Sequence, residues 1–401
     1  MLESLFVNHP NLIIQKPMLP TSKTSLQPFE SIEAPIAFDG SQGSNRCDIK
    51  HCQISANTDW QAIQCWLNEF YDSPQTLRNY RKEAERLLLW SINQHQKALS
   101  DLGREDFQQY QEFLANPQPS NIWCGPRAER TSLKWRPFKG PLSENSQRQA
   151  LIIINALFSY LVDAGYLAGN PLSLIRRRNR KLQPQANKAI SQQRYLDQKT
   201  WQLLKDHLAN QPQETPKQKN HYQRNRFLFH LLYLMAPRVS EVSNHSMNSF
   251  RLYRGQWWWF VLGKGEKQGK VPVSDEMLAA LMQYREHLDL SPLPEEDDTT
   301  PLLRSISGGK GISANMVYRQ VKTVVKEAAD NIQIENPIQA SILSKASTHW
   351  FRHTSVTHGD DAGIELKYLT RSARHEKIET TAIYQHAEDD KWHKAWQKLK
   401  Y

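Results

Sequence analysis

The sequence predicts a mainly α-helical protein of two domains that carries one small antiparallel β-sheet. Three observations lead there. From about residue 59 to 170, apolar residues recur at three- and four-residue steps in four successive blocks, the signature of amphipathic helices. Gln256-Trp-Trp-Trp-Phe-Val-Leu262 is dense in aromatic and β-branched residues, and Gly263-Lys-Gly-Glu-Lys-Gln-Gly269 turns it back into Lys270-Val-Pro-Val273, which reads as a hairpin. A chain of 401 residues also exceeds what one core usually organises. The expected divisions are a partly irregular N-terminal extension over 1–57, a helical domain over 58–175, a basic linker over 176–192, and a mixed α/β domain over 193–401 that ends in a helix.

Residues up to about 55 show scattered prolines without sustained periodicity, so a loosely packed extension is expected there. Trp60, Ile63, Trp66 and Phe70 then form the first apolar stripe. Ser73-Pro74 punctuates, and Leu77, Tyr80, Leu87, Leu88 and Ile92 line a second helix. A third runs from about Arg104 to Ala115 on Phe107, Tyr110 and Phe113. The fourth opens at Ser143, is almost wholly apolar from Leu151 to Val162, and closes at Gly165 and Asn170-Pro171. Between the third and fourth lies an insert, 116–142, in which Arg127, Arg130, Lys134, Arg136 and Lys139 alternate with Trp123, Trp135 and Phe138. Cations mixed with aromatics suit a loop that grips a nucleic-acid backbone, and equally a solvated loop anchored by its aromatics. In the second domain, Trp201, Leu204 and Leu208 begin a helix, Phe227 to Met235 is another, and the hairpin follows. Further helices are expected near 275–288, 313–330, 349–361 and 365–372, with Glu295-Glu-Asp-Asp298 in an exposed acidic loop.

Bulk properties narrow the function. A net charge of +10 and a pI near 9.3 favour a polyanionic partner. No apolar run approaches the roughly 18 residues that a membrane span needs. The first residues lack a basic region followed by an apolar core, so no signal peptide is read and a cytoplasmic protein is expected. Four cysteines are too few for a disulfide framework in a chain of this size, and Cys47, His51 and Cys52 match no zinc spacing. No cofactor is expected. Arg176-Arg-Arg-Asn-Arg-Lys181 is a cationic run that repels itself unless an anion sits within it, so Arg176, Arg177, Arg178, Arg180 and Lys181 are candidate DNA contacts, with Arg127, Arg130, Lys134 and Arg136 of the insert.

The chemistry concentrates near the end. In Thr348-His-Trp-Phe-Arg-His353, His349 and Arg352 stand three apart and share a helix face. His375 and Tyr384 follow. A metal-free attack on a phosphodiester needs a side-chain nucleophile, forked cations for the non-bridging oxygens, a base, and a proton donor for the leaving sugar oxygen. Tyr384, Arg238 with Arg352, His349, and Lys264 on the hairpin supply these parts, with Lys267 as the alternative donor. No cluster of Asp and Glu of the kind that holds two metals is visible, which argues against a metal-dependent nuclease.

Arg238 in Pro237-Arg-Val-Ser-Glu241, Lys264 in Gly263-Lys-Gly-Glu-Lys267, His349, Arg352, His353, His375 and Tyr384 together resemble the signature of the tyrosine recombinase, or phage integrase, family. Order and spacing agree: 26 residues from Arg238 to Lys264, three from His349 to Arg352, 23 from Arg352 to His375, and nine from His375 to Tyr384. The likeness covers about residues 60–395 and implies a helical core-binding domain, an interdomain linker and a mixed α/β catalytic domain that clamp duplex DNA. It further implies that Arg238 and Arg352 bind the scissile phosphate, Lys264 protonates the leaving 5′ oxygen, His349 assists proton transfer, His375 hydrogen-bonds the phosphate, and Tyr384 forms a 3′-phosphotyrosyl link. Glu241 is expected behind Arg238, and His353 in a packing role or one that supports its neighbours in the site.

The same likeness implies a bacterial, nucleoid-associated, metal-independent site-specific recombinase or integrase of a mobile element. Its partners would be double-stranded DNA and further copies of the chain, a dimer on one site and a tetramer on paired sites. Trp392 and Trp396 of a C-terminal helix would dock on a neighbour, and accessory recombinases or directionality factors are further candidate partners. Two departures stand out. Where the family usually has Gly-Leu-Arg, this chain has Ala236-Pro237-Arg238; where it commonly has Leu-Gly-His, this chain has Ala373-Arg374-His375. Arg374 is therefore an added candidate phosphate contact. The alternatives are a DNA-binding accessory protein with an inactive site and a type IB-like topoisomerase.

Overall fold

A computed structural model describes residues 26–48, 50, 52–173, 194–263 and 268–374. The chain divides into two compact units, Met1–Gln185 and Ala186–Tyr401.

In the first unit the four predicted stripes become α1 (Asp59–Asn68), α2 (Pro74–Leu89), α3 (Arg104–Ala115) and α5 (Glu144–Asp163), with a single turn, α4 (Ser120–Trp123), inside the insert. Thr58 and Gln61 close a capping box at the start of α1. The apolar faces meet in one core, where Ile63, Leu87, Phe107, Ile154, Leu157 and Phe158 are essentially inaccessible. Trp66 stacks on Tyr80 with centroids 4.9 Å apart, and Phe107 meets Phe158 edge-on at 5.2 Å. The N-terminal segment packs more tightly than its composition predicts. Leu26 and Phe29 are buried, Phe29 stacks on Trp60 at 5.5 Å, and the Trp60 indole donates to the Phe29 carbonyl at 2.8 Å.

The second unit contains α6 (Gln198–Ala209), α7 (Pro216–Leu234), α8 (Val239–Asn244), β1 (Phe250–Tyr253), β2 (Gln256–Leu262), β3 (Gln268–Pro272), α9 (Asp275–His287), α10 (Ala314–Ile332), α11 (Pro337–Lys345), α12 (Thr348–Asp361) and α13 (Leu366–Ala373). The sheet is antiparallel in the order β1-β2-β3, and its register aligns Phe250, Trp259 and Val271. These three are buried together, so the strand period of two places one row of the sheet in the core. Trp257 and Trp258 are only partly covered, so a single member of the tryptophan run is wholly core. α8, β1 and α11 were not expected from the sequence. Each is short, and the four residues of β1 bury only Phe250, too little for a visible alternation. The acidic loop is also more than a solvated face: Asp298 bonds Arg285, itself 2% exposed, at 2.5 Å.

Among the described residues no helix is long and apolar enough to cross a membrane. All four cysteines are free thiols.

Candidate active site

The site is built where α7 gives way to α8. After Leu234 the chain turns through Met235-Ala236-Pro237, and Ala236 takes φ +45°, a left-handed conformation that non-glycine residues seldom adopt. The turn aims the Ala236 carbonyl inward and places Arg238 at the N-cap of α8. Glu241, on the first turn, reaches back. Its Oε2 accepts from the Arg238 backbone N–H at 2.7 Å and its Oε1 from Arg238 Nη1 at 2.9 Å. Glu241 is 2% exposed, whereas the Arg238 side chain stays 36% exposed. Arg238 is thus an oriented cation with an open side.

The second contribution comes from α12. Arg352 is buried at 3% exposure, and its Nη1 donates to the Ala236 carbonyl at 2.7 Å. His349, three residues earlier on that helix, keeps part of its ring open to solvent. Desolvation of its inner side, then the cations Arg352, Arg194 and Arg238, hold its pKa below the ordinary histidine value. The imidazole is therefore neutral at physiological pH, the form that can take a proton. His353 packs edge-on against His349 with centroids 4.3 Å apart.

The third contribution is Arg374, at the left-handed C-cap of α13 with φ +53°. Its guanidinium points into the protein, and its side chain is only 10% exposed. Nη2 donates to Glu241 Oε2 at 2.6 Å and to the Ala236 carbonyl at 3.3 Å, and Nη1 donates to the Ser372 carbonyl at 2.7 Å. The Arg374 carbonyl in turn accepts from Arg238 Nη2 at 3.1 Å. Burial raises the Glu241 pKa, but Arg374, the Arg238 N–H and the bonds from both guanidiniums outweigh it and hold the carboxyl below its ordinary range. Arg374 was expected to reach outward to a phosphate; here its donors are engaged inside the protein.

The structure thus brings Arg238, Glu241, His349, Arg352 and Arg374 to one corner. Lys264, Lys267, His375, Tyr384, Arg176, Arg177, Arg178, Arg180, Lys181, Trp392 and Trp396 lie outside the described residues. Among the described residues no group of three or more His, Cys, Asp or Glu side chains gathers as a metal site does. Sequence reasoning missed the Ala236 carbonyl, which two arginines share. The available signal was that Ala236 and Arg374, both left-handed, stand where the resembled family carries glycine.

In the first unit the insert is anchored by buried Trp123, Trp135 and Phe138, with Phe138 N–H donating to the Trp123 carbonyl at 3.1 Å. Its cations divide. Arg130 bonds Glu30 at 2.7 Å and Glu85 at 2.5 Å, and Arg136 folds back on the Trp135 carbonyl at 2.7 Å. Arg127, Lys134 and Lys139 are exposed.

Residues 194–391 match the model of the phage integrase family. The tyrosine recombinases XerD of Staphylococcus aureus and Staphylococcus saprophyticus are each 28% identical over 163 residues, 41% of this chain and 50% of theirs. The chain therefore spans about half the length of the curated relatives it matches. Among solved structures, the XerH site-specific recombinase bound to palindromic difH substrate aligns at a TM-score of 0.57 and 16% identity, covering 86% of this chain and 85% of that one. The Tn1549 transposon integrase in complex with transposon right end DNA aligns at 0.53 and 14%, covering 84% and 99%. These likenesses establish the fold, and the family match identifies residues 194–391 as a domain of the phage integrase family.

Proposed function

We propose that the chain is a site-specific recombinase or integrase of a mobile element that cuts and rejoins DNA through a 3′-phosphotyrosyl intermediate without a metal ion. The observation that supports this most is that Arg352, which donates to the Ala236 carbonyl, and Arg238 both lie close enough to His349 to help keep its imidazole neutral. Arg238 and Arg352 bind the scissile phosphate, Arg238 from its open side. Tyr384 Oη attacks phosphorus as His349 takes the phenolic proton, His375 hydrogen-bonds a non-bridging oxygen, and the 5′ oxygen leaves with a proton from Lys264. The energy of the broken bond stays in the phosphotyrosyl ester, so a 5′ hydroxyl reverses the step. Cations of the insert, Arg127, Arg130, Lys134 and Arg136, and of the linker, Arg176, Arg177, Arg178, Arg180 and Lys181, would track the DNA backbone. Domain limits of 58–175, 176–192 and 193–401, and assembly as a dimer on one site and a tetramer on two through Trp392 and Trp396, complete the reading.

The test uses nicked suicide duplexes tiled across the DNA that flanks the coding sequence. The wild-type protein should give a covalent protein–DNA adduct on denaturing gels. Tyr384→Phe should give none while still shifting the duplex on native gels. An adduct formed by Tyr384→Phe would overturn the assignment.

A further inference from the structure

We propose that Arg374 is a positioning residue of this site: it takes up the charge of Glu241 and the carbonyl of Ala236, which leaves the Arg238 fork charged and aimed at a phosphate. The proposal rests on the phosphodiester reading above and adds to it a group that never touches DNA.

The charge count comes first. A single buried carboxylate, Glu241, faces two guanidiniums, Arg238 and Arg374. With Arg238 alone the pair would be neutral, and the open cation would attract a phosphate weakly. With Arg374 present the trio carries one net positive charge. The contact of 2.6 Å from Arg374 Nη2 to Glu241 Oε2 is shorter than the 2.9 Å from Arg238 Nη1 to Oε1, so the buried arginine is the closer counterion. Its side chain, at 10% exposure, is also the less screened of the two.

Aim comes second. Arg238 is gripped at both ends of its fork, Nη1 by Glu241 and Nη2 by the main-chain carbonyl of Arg374. Arg352 and Arg374 share the Ala236 carbonyl at 2.7 and 3.3 Å, so the same residue also touches the group that orients the second cation.

The backbone gives the third argument. φ +53° is a conformation that glycine takes freely and arginine resists. Such strain survives where surrounding contacts over-determine it. Here the arm crosses β3 at Gly269, where an added Cβ would lie 3.1 Å from Arg374 Cδ, and the guanidinium sits 5.7 Å from the Trp259 ring centroid. One side chain thereby meets the turn before Arg238, α8 and the second strand of the hairpin, and its own chain continues into His375.

The experiment compares wild type, Arg374→Gly, Glu241→Gln and the double variant. Arg374→Gly suits the left-handed backbone. Three quantities are read: the Kd for uncut duplex, the first-order rate of adduct formation at saturating nicked DNA, and the ¹³C carboxyl titration of Glu241. Arg374→Gly should leave Kd within about threefold but slow adduct formation by about 100-fold, the scale seen when a preorganised transition-state donor is lost. Neutralising the carboxylate as well, in the double variant, should recover about tenfold of that loss by freeing the charge of Arg238, and the Glu241 titration should move up in Arg374→Gly. Cleavage by Arg374→Gly within twofold of wild type would overturn the proposal. So would a parallel loss of rate and affinity that Glu241→Gln does not relieve, which is what a merely structural role gives. Should Arg374→Gly fail to fold, Arg374→Lys, which keeps a cation but no fork, is expected to slow adduct formation by about tenfold, and an unchanged rate would again overturn it. If wild type forms no adduct, the recombinase reading fails; an unmoved Glu241 titration then still decides against the role of Arg374.

Discussion

Glu241 in the second unit and Asp59 in the first are both almost wholly buried, at 2% and 1% exposure, yet their surroundings push their protons in opposite directions. Asp59 accepts from the Ser100 N–H at 3.0 Å, the Ser100 hydroxyl at 3.1 Å and the Tyr166 hydroxyl at 2.9 Å. These donors are neutral. Arg46 stands one step behind, donating to the Tyr166 oxygen at 2.9 Å. Burial wins over all of them, and the Asp59 pKa rises to about 6. Glu241 is met directly by two guanidiniums, and its pKa falls. Neutral donors satisfy a carboxylate's lone pairs without supplying a countercharge. Asp59 serves as a staple that ties α1 to Ser100 and Tyr166, where its charge has no use. Glu241 must remain an anion, because its charge holds Arg238.

The largest difference should appear on truncation. Glu241→Ala leaves Arg374 as a buried cation without its counterion and should destabilise the second unit by about 3–5 kcal/mol. Asp59→Ala frees hydroxyl and amide donors but also relieves a poorly compensated charge, and should cost about 1–3 kcal/mol. Urea unfolding of the full chain with probes in each unit measures both, and equal costs would break the contrast.

The second difference is one of sign in pH. Asp59 titrates near 6 folded against an ordinary 3.8, so the stability it contributes is complete below about 3.8 and is lost as pH rises through about 6. The margin of wild type over Asp59→Asn should shrink by about 1–3 kcal/mol across that window. Glu241 titrates below its ordinary 4.5, so its contribution is present above that value and is lost as pH falls through the lower folded pKa. The margin over Glu241→Gln should therefore grow with pH in the acid range. Parallel pH profiles for the two variants would contradict the assignment of causes.

The smallest effect concerns the crossing at β3. Gly269→Ala sets a Cβ 3.1 Å from an arm pinned by its acceptors, and should cost about 1 kcal/mol. A stabilising Gly269→Ala would mean that Arg374 moves freely, which would weaken its positioning role.

Much of this was legible in the residues. The helix at Arg104–Ala115 follows directly from its stripe, the helix at Thr348–Asp361 lies where one was expected over 349–361, and the hairpin follows from its aromatic run and glycines. The order and spacing of Arg238, His349 and Arg352 led to the family. The linkage between those residues was not legible. Glu241 and Arg374 are 133 positions apart, and nothing local in Thr370-Arg-Ser-Ala-Arg374 announces that its last side chain turns inward. The left-handed backbone at Ala236 and Arg374 was signalled only by their standing where the resembled family carries glycine, because neither residue type favours it. Departures from a pattern were visible in the sequence, but their physical meaning depended on the fold.

The most direct test of the account is to trap the covalent complex on a nicked duplex, digest it, and map the attached nucleotide by mass spectrometry. A 3′-phosphoryl nucleotide on Tyr384 is the expected result. Attachment at any other residue, or a cleaved strand with no protein attached, would contradict it.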